Sequence, residues 1–374
     1  MKFIITKEAL FPAVRRLTSV IGGRQTLPIL SNLLLKITPD GVSMIATDLE
    51  VELVVVIKEP LDVEGQITLS AKKLQDICRT LPEGVKLEFE IKEGKTSIRS
   101  DKSRFVLSTL PARDFPAVEM SEPEIEFTVA PDRLRKLIDN TQFAMAKDDV
   151  RFYLNGLLLE VNPHLLRCVA TDGHRLALGE IDLETGVEET VQAIIPKKGV
   201  TELLRLLEEG DEKIVLKMSD RHIRADIHSA CFTSKLIDGK FPDYQRVIPE
   251  PAEDRLIANR EKLKHSLTRV SILSNWKYHG VRMTLNTNRL TMFTRNPEQE
   301  EAEEELDVQY QGEELAIEFN VSYLLETLMA IDTDNVVLSI AALDRDKGNG
   351  RECCLVLPDD ESRYKYVVMP MGKR

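Results

Sequence analysis

The chain of 374 residues carries one pattern three times, and that periodicity limits its fold more than any other feature. Phe3-Ile4-Ile5-Thr6 reads as a strand running into a helix at Lys7-Glu8-Ala9-Leu10. Glu126-Phe127-Thr128-Val129 followed by Ala130-Pro131-Asp132-Arg133-Leu134 repeats it, with Pro131 suited to a first helical turn. Leu256-Ile257-Ala258-Asn259 followed by Arg260-Glu261-Lys262-Leu263 is the third copy. A second helix signal follows a short apolar strand in each third, at Ser70-Ala71-Lys72, Pro196-Lys197-Lys198 and Asn320-Val321-Ser322. Thr47-Asp48 is echoed by Thr171-Asp172 and, more weakly, by Thr294-Arg295, so the threonines lie 124 and 123 residues apart. β-Branched and aromatic strands with one buried face suit antiparallel sheets, and helices grouped on one side make an α+β layer. The expected fold class is therefore α+β. Three similar domains of about 124 residues are expected at 1–123, 124–252 and 253–374, each with two helices on antiparallel sheets. Pro123 and Pro251-Ala252-Glu253-Asp254 mark the joints.

A net charge of -12 argues against a nucleic-acid partner until its distribution is considered. The six helix candidates are 7–20, 71–81, 131–146, 196–208, 260–274 and 322–332. They hold 16 Lys and Arg against 9 Asp and Glu, net +7, which leaves -19 for the rest of the chain. One basic, helix-covered face and an acidic sheet face would track phosphates inside an acidic shell. Lysines that simply solvate exposed helices give the same count. No helix-turn-helix, zinc-finger or RNA-binding aromatic signature is present, so any duplex contact is expected to be to the backbone and indifferent to base sequence.

Motifs for catalysis are weak. Gly94-Lys95-Thr96 ends like a phosphate loop, but Phe89 stands where the first glycine belongs. Asp344-x-Asp346 begins like a calcium loop, with Gly348 and Leu355 at two ligand positions. Ser70-x-x-Lys73 fits a helix N-cap better than a nucleophile. The six histidines show no metal spacing, and His174 beside Asp172 reads as a turn. Cys78, Cys168, Cys231, Cys353 and Cys354 are odd in number and form no C-x-x-C, which suits a reduced, cytoplasmic protein. No apolar run approaches the roughly 18 residues of a membrane span. The expectation is a protein without catalytic residues, metal or cofactor, and without a membrane partner. The run Glu298 to Glu305 is either a solvated face or the complement of a basic patch on a second subunit, for which Lys73, Arg99, Lys102 and Arg104 are candidates.

Longer motifs carry a resemblance. They include Gly23-Arg24-Gln25-Thr26-Leu27-Pro28-Ile29-Leu30, Thr47-Asp48-Leu49-Glu50, Ser108-Thr109-Leu110-Pro111 and Tyr153-Leu154-Asn155-Gly156. Ala170-Thr171-Asp172-Gly173-His174-Arg175-Leu176-Ala177, Phe241-Pro242-Asp243-Tyr244, Asn296-Pro297-Glu298-Gln299-Glu300-Glu301, Phe319-Asn320-Val321-Ser322-Tyr323 and Tyr366-Val367-Val368-Met369-Pro370-Met371 complete them. Over essentially the whole chain these residues resemble the bacterial DNA polymerase III beta subunit family, the replicative sliding clamps. The resemblance implies three like domains per subunit and a head-to-tail homodimeric ring. Twelve helices would face a hole for double-stranded DNA.

The resemblance also implies site residues. Near DNA it places Arg24 and Tyr153, with Phe152 where the family often has a second tyrosine; Arg15, Lys72, Lys147, Lys197 and Lys198 are the basic residues expected there. A peptide-binding cleft is implied with an apolar floor of Leu154, Leu176, Pro242, Val247, Val367 and Met369. Its polar wall would be Thr171, Gly173, His174 and Arg175, and Arg151, Tyr153, Asn320, Tyr323, Pro370 and Met371 would adjoin it. Without the family, the Leu, Val and Met residues read as ordinary core. For the dimer interface it implies Phe105 and Leu107 on one side. Ile272 and Leu273, with Glu298, Glu300, Glu301, Glu303 and Glu304, lie on the other, and Lys73 suits the glutamates. The implied partners are the DNA polymerase III alpha subunit, the clamp loader, and mismatch-repair and translesion polymerase proteins. Two features depart from the family pattern near the cleft: a longer segment 344–363 and the ending Met371-Gly372-Lys373-Arg374.

Overall fold

The computed structural model describes residues 1–22, 27–92, 94–116, 118, 122–208, 213–275, 277–343, 351–360 and 363–372. Among them the order strand, helix, four strands, helix, three strands occurs three times. The six helices are α1 (Lys7–Val20), α2 (Ala71–Thr80), α3 (Pro131–Gln142), α4 (Lys197–Leu207), α5 (Arg260–Ser271) and α6 (Val321–Met329).

Each repeat divides its eight strands the same way. The four strands between its helices form one four-stranded group, and its first strand joins its last three in another. In the first repeat these groups are Asn32–Thr38, Gly41–Thr47, Val51–Ile57 and Gly65–Ser70, and Lys2–Thr6, Lys86–Lys92, Lys95–Ser100 and Ser103–Ser108. Groups of neighbouring repeats then fuse. Val51–Ile57 pairs antiparallel with Ala230–Lys235 of the second repeat, and Arg175–Asp182 pairs antiparallel with Tyr364–Val368 of the third. The result is two eight-stranded and two four-stranded sheets. The chain packs as two compact units: Met1–Leu134 with Lys198–Leu236, and Arg135–Lys197 with Ile237–Arg374. Each eight-stranded sheet lies inside one unit.

The helices form for the usual amphipathic reason. α1 buries Leu10, Ala13, Val14, Leu17 and Val20, spaced three and four apart. Burial of each Leu or Val side chain contributes about 1.5–3 kcal/mol. Thr6 and Asn259 accept from the backbone N–H of Ala9 and Lys262 and so cap α1 and α5. Ser70 stands at the N-cap of α2 but makes no side-chain capping bond, unlike the sequence expectation.

Three helices end three or four residues earlier than the sequence predicts, among them α6, at Met329 rather than at 332. α3 stops at Gln142, and Ala144 and Met145 bond back three residues to Thr141 and Gln142. α5 stops at Ser271, and Ile272, Leu273 and Ser274 likewise bond to Arg269, Val270 and Ser271. Tightened final turns of this kind keep carbonyls satisfied while the α-helix ends. The Lys95–Ser100 strand follows Gly94 directly and pairs with Lys86–Lys92, so the Gly94-Lys95-Thr96 sequence is a hairpin rather than a phosphate loop. Asp344 and Asp346 lie outside the described residues.

Candidate functional site

The Thr-Asp dipeptides build the same turn twice. In the first repeat Thr47 Oγ1 donates to the Val51 carbonyl and accepts from Leu49 N–H, while Asp48 Oδ1 accepts from Glu50 and Val51 N–H. In the second, Thr171 Oγ1 donates to the Arg175 carbonyl and accepts from Gly173 N–H, while Asp172 Oδ1 accepts from His174 and Arg175 N–H. The third position of each turn has positive φ, 78° at Leu49 and 86° at Gly173. In the third repeat Thr294 donates to Gly280 instead, and Asn296 caps a longer turn at Glu300.

The second copy of the turn carries the site. It leaves Gly173 and His174 exposed and turns Arg175 inward to 6% exposure. The Arg175 guanidinium donates to Asp172 (3.2 Å), Glu326 (2.6 Å) and the Phe143 carbonyl (2.7 Å). It also lies 4.7 Å from the Tyr323 ring centroid and 5.2 Å from that of Phe143. His174 stacks against Tyr323 at 6.3 Å. Thus one buried cation joins the turn to α6. Burial pushes the Tyr323 phenol pKa up, helped by Asp172.

Arg151 fastens the other side. Its guanidinium donates to both carboxylate oxygens of Asp149, at 3.0 and 2.9 Å, and to the Asp172 carbonyl at 3.2 Å. A methyl group on Gly173 would sit 3.1 Å from both terminal nitrogens of Arg151. The bonds from Arg151 hold the Asp149 carboxyl at about 2, well below its ordinary range.

Below these groups the sheet presents an apolar face. Leu158, Val169, Leu178 and Ile194 are register partners across four strands, and Leu176 pairs with Val367. Phe241 and Tyr244 cover this cluster, and Tyr153 and Met369 pack against it half-buried. Met369 N–H donates to the His174 carbonyl, and Met371 N–H to that of Glu318, so residues 369–371 run beside the turn.

The structure therefore brings together Arg151, Tyr153, Thr171, Gly173, His174, Arg175, Leu176, Tyr323, Val367 and Met369. Leu154, Leu176 and Val367 are almost wholly buried and form core, so the accessible apolar groups are the exposed Pro242 and Val247 and the half-buried Tyr153, Tyr323, Met369 and Pro370. Asn320 caps α6 by accepting from Ser322 N–H, which commits its side-chain oxygen. Asp149, Phe143 and Glu326 were not anticipated from the sequence; no local pattern marks Phe143 and Glu326 as partners of Arg175, 32 and 151 residues away.

Family models for the DNA polymerase III beta subunit match the N-terminal domain at residues 1–119, the central domain at 128–243 and the C-terminal domain at 245–372. The chain belongs to the DNA polymerase III beta subunit family. It is 46% identical over 373 residues to the beta sliding clamp of Pseudomonas aeruginosa, covering 99% of this chain and 100% of that one. A crystal structure of the DNA polymerase sliding clamp from that organism, with ligand, superposes with a TM-score of 0.94 at 45% identity and full coverage of both chains. Another P. aeruginosa clamp, bound to griselimycin, gives 0.93 at 45% identity, again with full coverage of both. A sliding clamp is a processivity subunit without catalysis of its own. Among the described residues, no group of three or more His, Cys, Asp or Glu could hold a metal, and no helix is long and apolar enough to cross a membrane.

The remaining clamp candidates fall into two groups. Phe105 and Leu107 are half-buried on Ser103–Ser108, a strand at the open edge of its sheet. The acidic strand Glu301–Asp307 is one edge of the other four-stranded sheet. Ile272 is 75% exposed and Leu273 half-buried, both just past the end of α5 rather than in it. Glu304 is half-buried and accepts from Nε and Nη2 of Arg269, each at 2.7 Å; Glu301 pairs with Arg295 and Glu300 with Asn296. Glu298, Glu303 and Lys73 are exposed. Of the DNA candidates, Arg15, Lys72, Lys147, Phe152 and Lys197 are exposed, and Arg24 lies outside the described residues. Lys198 is different: it is ion-paired with Asp48 and donates to the Val20 carbonyl at 2.9 Å, at the end of α1. α1 has no basic residue in its own last turn, and a cation there complements the helix dipole.

Proposed function

We propose that two copies of the chain close head to tail into a ring around double-stranded DNA, and that the ring tethers DNA polymerase III through its alpha subunit. The supporting observation is the sheet topology. Inside the chain, the last strand of one repeat pairs antiparallel with the third inter-helix strand of the repeat before it, as Ala230–Lys235 does with Val51–Ile57 and Tyr364–Val368 with Arg175–Asp182. The two strands left over by that rule are Ser103–Ser108 and Glu301–Asp307, one in the first repeat and one in the third. An edge strand is a template for pairing with another chain, and these two fit each other in a second copy. Arg104 and the exposed Glu303 add opposite charge. The interface set is then Phe105, Leu107, Ile272 and Leu273 with Lys73, Glu298 and Glu303; Glu304 supports it through Arg269.

In this reading the clamp domains are 1–123, 124–252 and 253–374, and the ring works in the cytoplasm. Arg15, Arg24, Lys72, Lys147, Lys197, Phe152 and Tyr153 meet the DNA, with Lys198 holding α1 and α4 in place. A threaded ring needs only weak phosphate contacts, because tight ones would add friction and steep salt dependence. The face around His174, Tyr323, Met369 and Val247 takes a short peptide from each client: polymerase, clamp loader, mismatch-repair and translesion proteins. Griselimycin, bound by the P. aeruginosa clamp, is proposed to occupy the same face.

The test loads the clamp onto nicked circular DNA and then linearises it. Retention on the circle and loss from the linear form are expected; equal retention on both would refute topological tethering.

A further inference from the structure

We infer that Tyr244 is a positioning residue for the client face, acting through a part-buried ionic ladder beside it. This rests on the reading of that face as the client site.

The rim of the face is the segment that carries Pro242 and Val247, both exposed. Its backbone is thinly held: the 3-10 turn Tyr244–Val247 receives no side-chain cap from Asp243, and Ile248 N–H reaches the Gln245 carbonyl at 3.4 Å. Its two buried anchors in the apolar cluster are Phe241 and Tyr244, each 6% exposed, and half-buried Ile248 packs against the same cluster. Phe241 can only pack. Tyr244 also carries a hydroxyl, and the structure gives that hydroxyl a specific place.

Gln192, Glu160, Arg167 and Glu180 are register partners in a row across four strands, two residues further along than the apolar row Ile194, Leu158, Val169 and Leu178. Side chains two apart share a sheet face, so the polar row borders the apolar one. Glu160 is 5% exposed. Its carboxylate accepts from Gln192 at 2.7 Å, from Asn162 at 3.1 Å and from Arg167. Arg167 also donates to Glu180 at 2.6 Å. Two carboxylates thus share one guanidinium and leave an excess negative charge under the rim. The Tyr244 hydroxyl closes the row. It donates to Glu160 at 3.2 Å and accepts from Arg167 at 2.7 Å. Hydrogen bonds to charged groups are directional and stronger than neutral ones, and a fully satisfied network fixes its members in one arrangement. Apolar packing alone would let the Tyr244 ring slide over the cluster; the ladder fixes it at one register. Pro242 and Val247, two residues before and three after, are placed by that bond.

The test uses full-length clamp and griselimycin titrated by calorimetry at 10 °C, with circular dichroism confirming each variant is folded. Tyr244→Phe removes only the hydroxyl. It is expected to weaken griselimycin about tenfold, equivalent to about 1.4 kcal/mol, and to raise hydrogen exchange at the amides of 245–248 while α6 is unchanged. Arg167→Lys keeps the charge but loses the fork, and is expected to weaken binding by a smaller factor; it carries the test if Tyr244→Phe does not fold. His174→Ala is the control for the client-face reading. If His174→Ala weakens binding and Tyr244→Phe does not, the positioning role is overturned and the face stands. If neither variant changes binding, the reading of the face itself fails. A general loss of protection in Tyr244→Phe, extending to α6, would show a merely structural bond and overturn the inference.

Discussion

The Arg175 guanidinium lies over the Tyr323 ring at 4.7 Å while the same group donates to Glu326 one turn further along α6. The residues are 148 positions apart in sequence, and their contact welds the Thr171–Arg175 turn to a helix of the third repeat. Removing the cation leaves Asp172 Oδ2 and the Phe143 carbonyl without their donor, while Glu326, 40% exposed, can turn to water. Arg175→Ala is expected to destabilise the protein by about 3 kcal/mol, as for other buried ion pairs that lose one partner. Urea unfolding followed by circular dichroism checks it, and a loss below about 1 kcal/mol would show that the pair carries little.

Gly173 sets a second prediction. At φ 86° a side chain costs about 1–2 kcal/mol, and a methyl group would press on Arg151. Leu49 tolerates the matching angle in the first repeat. Gly173→Ala is therefore expected to lower stability and also to release the Asp149–Arg151 pair, seen as a rise in the Asp149 carboxyl pKa by NMR.

That pair has its own pH signature. The folded Asp149 carboxyl titrates at about 2, below its ordinary 3.8. A depressed acid stabilises the fold fully above the unfolded value and loses that contribution as pH falls. The Asp149 contribution should be intact above pH 3.8 and vanish as pH passes through about 2. An NMR titration midpoint near the ordinary value would show the pair absent in solution.

Ile272 separates folding from assembly. At 75% exposure it contributes little to its own protomer, so Ile272→Ala should change protomer unfolding by less than about 0.5 kcal/mol. Together with Leu273→Ala it should shift the dimer toward monomer in sedimentation. An unchanged dimer would remove both residues from the interface.

Lys198 should behave unlike the other basic candidates. Lys198→Met leaves the Asp48 carboxylate, 12% exposed, without its cation and is expected to cost about 2 kcal/mol of stability. Lys72→Met and Lys147→Met, at exposed positions, should leave stability unchanged and shorten retention on nicked circles at raised salt. A stable Lys198→Met protein with poor DNA retention would reverse the assignment.

The repeat was legible because its signals are local. Apolar spacing, caps and a period near 124 residues are written in neighbouring positions, so α1, the three-fold order of strands and helices, and the Thr-Asp turns could be read directly from the sequence. Helix ends were less legible: apolar residues such as Ile272 continue the helical spacing past the last α-helical bond, and only backbone geometry separates a tightened turn from one more α-turn. Composition counted Lys7 and Lys198 as part of a basic face. Tertiary structure gives Lys7 the Leu81 carbonyl and Glu83 as partners, and Lys198 the Asp48 carboxylate and the Val20 carbonyl at the end of α1. The same holds for Arg175, Glu160 and Tyr244. Where a charge finds its partner far along the chain, only the tertiary structure brings the two together and decides whether the charge is an accessible contact or a buried strut.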